Sequence, residues 1–583
     1  MSSSLPKFDA LYFSALLKQR KKKSAQGPVR IGRNFFPSAL LSARDREILL
    51  GIVPYESLLK SRARYEKEAQ KSTLVLNPMN GGVGTTLARE SYLKKIWPLL
   101  GRKGKPCLGS KGSDLFFDLG INGKNLKVSI SEAKLLRAIE RARSYGAVVI
   151  EELASTETKK SMDILLDSLN LYARAGLKPE WGEKTYRAIL RQNDKIRLSK
   201  TLIQAALPTL DNKGRVSKTH RAPGGHGHWG VYFLLKSIQT DHRKALTANR
   251  GKSVIHAIYN EDGINNTVDP IVVGWMAAEN IPLAMITTTK TAIDQKGGLL
   301  GILRTGRGKH KIEILEEAQA EANNQIREFR EMGLTQGSPG AQYFNTNTAL
   351  VNFTVLGPFL RDLERALGKM KILEIVSPGL IENRKTGFTQ LEGALGSSLI
   401  RLDGFARTAG DPKVKGIIMK HGFLDASGRV RLLRLVNVGP RDRLKLFTPV
   451  KTAFDFWLQF YSDLFDFNPR TLELEGRNPA GVPSVSLGEP YRDLESVLEC
   501  FGRSPDRTKN TSVIRLDSLE IQGDVKLEGA ALSGKVRILN DSGRTVDLNL
   551  PAVRKALGFS EFGRLVLENV RLKIEPSGRI FRQ

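Results

Sequence analysis

The sequence predicts an α/β fold built on a mainly parallel sheet covered by helices, followed by a C-terminal region of closely spaced strands. Three observations carry this prediction. Short β-rich runs alternate with helical stretches from about residue 71 to 455, and after about 490 the texture changes to brief Val/Ile/Leu runs. No stretch reaches the ~18 uninterrupted apolar residues that a membrane-spanning helix needs. Residues 1–70 are charged and helix-prone, with an amphipathic segment at SARDREILLGIVPYESLLKSRARYEKEAQ, and read as an N-terminal helical extension. Within 71–455, the runs TLVLN, GAVVIEEL, SVIHAIYN, IPLAMITTT and AQYFNTNTALVNF alternate with SEAKLLRAIERARSY and DPIVVGWMAAEN, the pattern of strands joined by covering helices. Residues 456–489 read as a linker. Residues 490–583 contain TSVIRLDSLEIQGDVKLEGAALSGKVRILNDSGRTVDLNL, which has no helical period and suits the rungs of a β-helix or a small β-sandwich.

Composition narrows the function classes. A chain of 583 residues with 40% hydrophobic content can bury a large core. Its N-terminal order, FDALYFSALL then KQRKKK, reverses that of a secretory signal, so a cytoplasmic protein without a membrane partner is expected. Cys107 and Cys500 fit no metal-type spacing. The balance of 91 Lys+Arg against 60 Asp+Glu gives +31, a field that favours nucleotides and phosphorylated metabolites. Because the basic residues are spread along the chain and aromatic content is 7%, specific nucleic-acid binding is not predicted. Nothing in the sequence fixes an oligomeric state.

The most informative local feature is LVLNPMNGGVGTTLARE, where an apolar run stops at Asn80, Gly81, Gly82 and Gly84. A strand ending in this way lets the backbone approach a ligand closely and turns N–H donors toward phosphate or a base edge. The dinucleotide fingerprint fails at its third glycine, where Leu87 stands, and no Gly-Lys-Ser/Thr follows as a P-loop requires.

Further segments stand behind this loop in order: RAPGGHGHWGVYFLL, AIYNEDGINNTVDP, TTKTAIDQKGGLLG, YFNTNTALVNF, FTQLEGALGSSL and PVKTAFDFW. Together the seven stretches resemble the eukaryotic-type UTP–glucose-1-phosphate uridylyltransferase family, and PSVSLGEPY with LDSLEIQGDVKLEGAALSGKVRI is similar to that family's C-terminal left-handed β-helix. The resemblance implies a Rossmann-like nucleotidyltransferase domain of GT-A-like type, with UTP and a sugar 1-phosphate as partners and Mg²⁺ as cofactor.

By the same resemblance, Met79, Asn80, Gly81 and Gly82 face uracil and phosphate, and Gln192 pairs with the uracil edge, which an amide can do with both donor and acceptor. Gly225 and His226 meet the nucleotide and the sugar phosphate, while His228 is structural. Asn260 and Asp262 end a strand, with Asp262 holding Mg²⁺ against the α-phosphate. Lys290, Asp294 through Gly298, Glu313, Asn345 and Asn347 recognise the hexose. Asn345 and Asn347, as alternate strand residues, are expected on one face. Lys451 reaches the phosphates, and the early phosphate lysine is either Lys105 or Lys111, because LARESYLKKIWPLL separates both from the glycine loop.

The implied reaction transfers UMP from UTP to glucose 1-phosphate. The alternatives are another hexose 1-phosphate, such as the N-acetylglucosamine or galactose compound, or a catalytically lapsed protein that binds polyanions through its charge.

Overall fold

The computed structural model describes residues 7–23, 29–46, 50–82, 87–103, 105–239, 253–291, 294, 297–305, 309–334, 343–425, 428–477, 482–560 and 562–582. Its centre is a thirteen-stranded sheet. Eight strands form the main path: β1 (Ile52–Pro54), β2 (Thr73–Met79), β3 (Ala147–Ile150), β4 (Ile196–Leu198), β5 (Val254–Asn260), β6 (Leu283–Thr289), β7 (Tyr343–Asn352) and β8 (Leu433–Val438). Their spatial order is β1-β8-β6-β7-β5-β2-β3-β4, with β7 antiparallel to both neighbours and the other pairs parallel. The five β-rich runs read from the sequence are β2, β3, β5, β6 and β7.

Every residue of β2 is buried, as expected of a strand covered on both faces. Alternation still sorts its side chains, because Leu74 and Leu76 belong to one core cluster and Val75 to the other. The sheet therefore separates two cores.

Five helices position the site: α1 (Lys7–Lys23), α2 (Lys111–Asp114), α3 (Ile130–Glu140), α4 (His226–Lys236) and α5 (Ala453–Phe460). A second, four-stranded sheet joins Val216–Pro223, Ala206–Leu210, Phe388–Gly393 and Leu380–Lys385.

Two expected boundaries are corrected. The first 70 residues are not a purely helical extension, since β1 pairs with β8 and Phe35–Pro37 pairs with Gly298–Thr305. Nor is 456–489 a linker. The boundary at 455 cuts α5, all of whose residues are buried, and a hairpin of Phe465–Asn468 with Glu473–Gly476 follows.

From Ser484 onward, Ser484–Leu487, Ser512–Gln522, Ala531–Asn540 and Arg571–Ile574 lie side by side in parallel, with the short pair Val525–Lys526 and Val546–Asp547 forming a second parallel ladder. Because the chain runs from Ser512–Gln522 through Val525–Lys526 to Ala531–Asn540 and on through Val546–Asp547, the parallel neighbours of the two ladders make successive turns of a coil, filled by Leu519, Ile521, Val536, Ile538 and Leu572. These side chains share a core cluster with Trp457 and Phe501, so the coil is packed onto the α/β body.

Candidate functional site

The parallel strands β2 and β5 end in register, Met79 opposite Asn260, and the loops beyond them bound one cleft at the carboxyl edge of the sheet. This edge is where open α/β sheets place ligands. Met79 and Asn80 are buried. Asn80 donates its backbone N–H to Leu153 O (2.7 Å) and its amide to Glu152 Oε1 (3.1 Å), and its Oδ1 accepts from Ser110 Oγ (2.8 Å). A turn pinned at three points delivers Gly81 and Gly82. Among the described residues, a Cβ on Gly82 would meet no atom within 4 Å, so that glycine has no packed neighbour there. Gly84, the last of the expected glycines, lies outside the described residues.

Gln192 is not at this cleft. It ends the helix Tyr186–Gln192, is exposed, and accepts from Lys184 Nζ. The glutamine that does reach the loop is Gln204, which is buried and donates to Gly225 O (3.0 Å), with its Oε1 3.7 Å from where a Cβ on Gly81 would lie. Sequence reasoning missed it. The available signal was an amide inside the apolar run LIQAALP, separated from β4 by three residues.

Gly225 caps α4 with φ +72°, and a Cβ there would lie 2.7 Å from Glu392, so glycine is required on both counts. It brings His226 to the first turn of the helix. Asn347 Nδ2 donates to His226 Nδ1 (2.6 Å) and to Asn260 Oδ1 (3.1 Å), which leaves the ring proton on Nε2. Asn345 and Asn347 do not act as alternate residues of a regular strand. The register between β6 and β7 slips between Ile286 and Thr287, and Asn347 takes φ +60°. The bulge re-aims Asn347 toward His226, while Asn345 turns its Oδ1 back to accept from Asn347 N (3.1 Å).

Beyond β5, the segment 449–451 runs alongside 262–263: Gly263 bridges Pro449, and Val450 N donates to Asp262 O (2.9 Å). Lys451 Nζ consequently lies 2.8 Å from Asp262 Oδ2. Just after Lys451, Thr452 and Asp455 form a capping box that opens α5, and Asp455 Oδ2 also accepts from Lys451 N (2.9 Å). Of the two early lysines, Lys105 is exposed, whereas Lys111 is buried and donates to Val450 O (3.1 Å) and Lys451 O (3.0 Å). Lys111 thus braces the segment that carries Lys451.

The expected sugar residues divide. Lys290 is spent on backbone, donating to Phe329 O (2.6 Å) and Arg330 O (2.7 Å), and Asp294 is paired with Arg443 (2.7 Å). Glu313 pairs with Lys311 (2.7 Å), stands opposite Gly301, and has its Oε1 3.5 Å from where a Cβ on Gly379 would lie. Three positions along the same strand, Glu316 stands opposite Gly298, and its side chain accepts from the Gln319 backbone N–H in the capping box that opens the helix Glu317–Ala322, with Glu392 and Lys451 among the charges that act on it. An odd offset in a strand reverses the face, so the two glutamates leave the strand on opposite sides.

A family model described as UTP–glucose-1-phosphate uridylyltransferase matches residues 182–532, more than half of the chain. The chain belongs to this uridylyltransferase family. It is 24% identical over 513 residues to the UTP–glucose-1-phosphate uridylyltransferase of Encephalitozoon cuniculi, covering 86% of this chain and 78% of that protein. Among solved structures, it is similar to a UDP-glucose phosphorylase from Trypanosoma brucei (TM-score 0.59, 17% identity, 96% of each chain). It is also similar to a variant UDP-glucose pyrophosphorylase from Leishmania major in complex with UDP-glucose (TM-score 0.59, 17% identity, 98% of this chain and 100% of that one). At that identity, the structural likeness shows the fold.

The electrostatics of the uridylyltransferase cleft suit phosphate. Burial alone would raise the Asp262 carboxyl, but Lys451 and Lys111 override it and hold the group below the usual range. The surrounding protein and then Lys451 push the exposed His226 ring below its usual range, with Asp262 opposing, so it is neutral at physiological pH. Lys111 is pulled down to about 8 by burial, with Asp262 opposing. Glu152, beneath the glycine loop, is pushed up to about 8 by burial and by Glu261. Burial, with Glu392 next, brings Glu316 to about 7.

Proposed function

We infer that this chain transfers UMP from UTP to glucose 1-phosphate, yielding UDP-glucose and pyrophosphate. The observation that carries the reading, beside family membership, is the convergence of Asn80–Gly82, Gln204, Gly225–His226, Asp262 and Lys451 on one cleft. The phosphate oxygen of the sugar 1-phosphate is already anionic, so it attacks the α-phosphorus in line without a base. What the chain must supply is position and positive charge.

In this reading, Gln204 and the Gly81–Gly82 backbone take the uracil edge, with a role for Gln204 in place of Gln192. The neutral His226 donates from Nε2 to a phosphate oxygen, an orientation that Asn347 fixes through Nδ1. Lys451 neutralises charge on the departing pyrophosphate, and Lys111 holds Lys451 in place. Asn347 and Glu316 face the hexose, and Asn345 holds the Asn347 backbone in place.

Among the described residues no cluster of three or more His, Cys, Asp or Glu side chains could hold a metal by itself. That fits Mg²⁺, which binds through one or two carboxylates and the substrate's own phosphates. Asp262, kept ionised at the cleft, is the carboxylate that would hold it. When bound, the ion supplies charge neutralisation at the α-phosphate.

We further propose that the coil beginning at Ser484 is a left-handed β-helix and that the residues before it form one catalytic unit. The unpaired Cys107 and Cys500 suit a reducing compartment such as the cytoplasm, and among the described residues no helix is long and apolar enough to cross a membrane. Pyrophosphate release with UTP and a panel of sugar 1-phosphates tests the reading: turnover is expected with glucose 1-phosphate, and preference for the N-acetylglucosamine or galactose compound would redirect it.

A further inference from the structure

Helix α1 lies outside the stretch matched by the family model, yet it grips the back of the glycine–histidine turn. Asp9 Oδ1 lies 2.6 Å from His228 Nε2, and both residues are buried. Among the described residues His228 Nδ1 is buried without a partner, so the ring proton belongs on Nε2 and is donated to Asp9. Four positions earlier on the same turn, Gly224 O accepts from Tyr12 Oη (3.3 Å). The rings of Phe8 and Tyr12 close edge-on against His228, with centroids 4.9 and 5.3 Å away. Gly225 and His226 sit between these two anchors. On their other side they meet Gln204 and Asn347.

We propose that α1 is a positioning element of the nucleotide site, and that Asp9 acts through His228 to set the turn presenting Gly225 and His226. Asp9 and His228 touch no substrate; both are positioning residues. The inference rests on the uridylyltransferase reading for its kinetic part only. A turn held at Gly224 and His228 has little freedom at 225 and 226, and a displacement of even 1 Å in a group that meets the reacting phosphates costs up to about a hundredfold in rate. The partner residue is chosen for geometry rather than charge: with the proton on Nε2, any acceptor at the Asp9 position keeps the bond.

The test uses the full-length chain carrying Asp9→Ala, Asp9→Asn, Tyr12→Phe or Arg20→Ala. Arg20 anchors the far end of α1 to Gly214 O (3.1 Å) and to Glu382 (3.6 Å), so its removal loosens the helix away from the turn. Three readouts are taken: kcat and KM for UTP and glucose 1-phosphate, melting temperature, and hydrogen–deuterium exchange of the 224–228 amides. Asp9→Ala is expected to lower kcat about tenfold and to speed exchange at 224–228. Asp9→Asn restores both, because its amide oxygen still accepts from Nε2, and Arg20→Ala changes stability without changing kcat. Tyr12→Phe, a milder change, raises exchange at 224–228 and serves where Asp9→Ala does not fold. Wild-type kcat and exchange in folded Asp9→Ala overturn the proposal, as does a rate loss in Asp9→Ala and Arg20→Ala that merely follows melting temperature. If the wild-type chain makes no UDP-glucose, the functional reading fails, while the exchange measurement still decides whether α1 sets the turn.

Discussion

Lys451 Nζ and Asp262 Oδ2 are 2.8 Å apart, so the cation proposed for pyrophosphate and the anion proposed for Mg²⁺ neutralise one another across the cleft. Each is the other's substitute for a ligand of opposite sign. A triphosphate attracts Lys451 and the accompanying cation attracts Asp262, so the Mg²⁺–UTP pair exchanges one ion pair for two.

Removing either member is therefore expected to damage chemistry more than folding. Lys451→Ala should reduce kcat about 10² to 10³-fold, the typical loss for one preorganised charge-stabilising donor. Loss of the charged hydrogen bond to Asp262 should lower stability by about 1.5–3 kcal/mol. Asp262→Asn should raise the Mg²⁺ concentration needed for half-maximal rate, and EDTA should abolish turnover of the wild-type chain. Near-normal kcat in folded Lys451→Ala would move the role to Lys111.

The two glutamines give a direct contrast. Gln204→Ala is expected to raise the KM for UTP about tenfold or more, the scale of a lost hydrogen bond in a desolvated site. Gln192→Ala, at an exposed helix end, should leave it unchanged. Equal KM values for the two variants would remove Gln204 from uracil recognition.

Much of the architecture was legible because it rests on local signals. Continuous apolar runs announced the parallel strands, and the glycine loop stood at the end of one of them. What failed depended on register or on partners distant in sequence. Glu313 is taken up by Lys311 and Glu316 by the cap of the next helix, and the register of the hairpin with Gly298–Thr305 sets which residue each stands opposite. Asn345 and Asn347 were read by period 2, which a bulge between β6 and β7 overrides. Lys290 looked free for a ligand, yet the carbonyls of Phe329 and Arg330 consume its donors. The woven N-terminus was invisible for the same reason, since its strand and helix partners lie hundreds of residues away.

Gly82 separates folding from binding. Since a Cβ at this position would meet no atom of the described residues within 4 Å, Gly82→Ala should keep the wild-type melting temperature. The added methyl enters the space assigned to the nucleotide, so the KM for UTP should rise about tenfold. A fall in melting temperature with unchanged KM would show that the glycine serves the turn alone.

Glu316 makes the cleft sensitive to pH. Its folded pKa stands at about 7 against the ordinary 4.5, so the folded chain binds more protons than the unfolded chain between those values. Its contribution to stability is therefore fully present below about 4.5 and is lost as pH rises through about 7. Glu316→Gln, which cannot ionise, should gain stability relative to wild type over that interval. Binding has the opposite slope. Only the ionised carboxylate accepts from a hexose hydroxyl with full charge, so the wild-type KM for glucose 1-phosphate should fall, by about tenfold, as pH rises through neutrality. The sugar phosphate also titrates in this region, and Glu316→Gln supplies the control because it keeps that ionisation while lacking the carboxylate. Parallel KM profiles in the two proteins would place Glu316 outside the sugar site; a steeper fall in wild type than in the variant would assign it there.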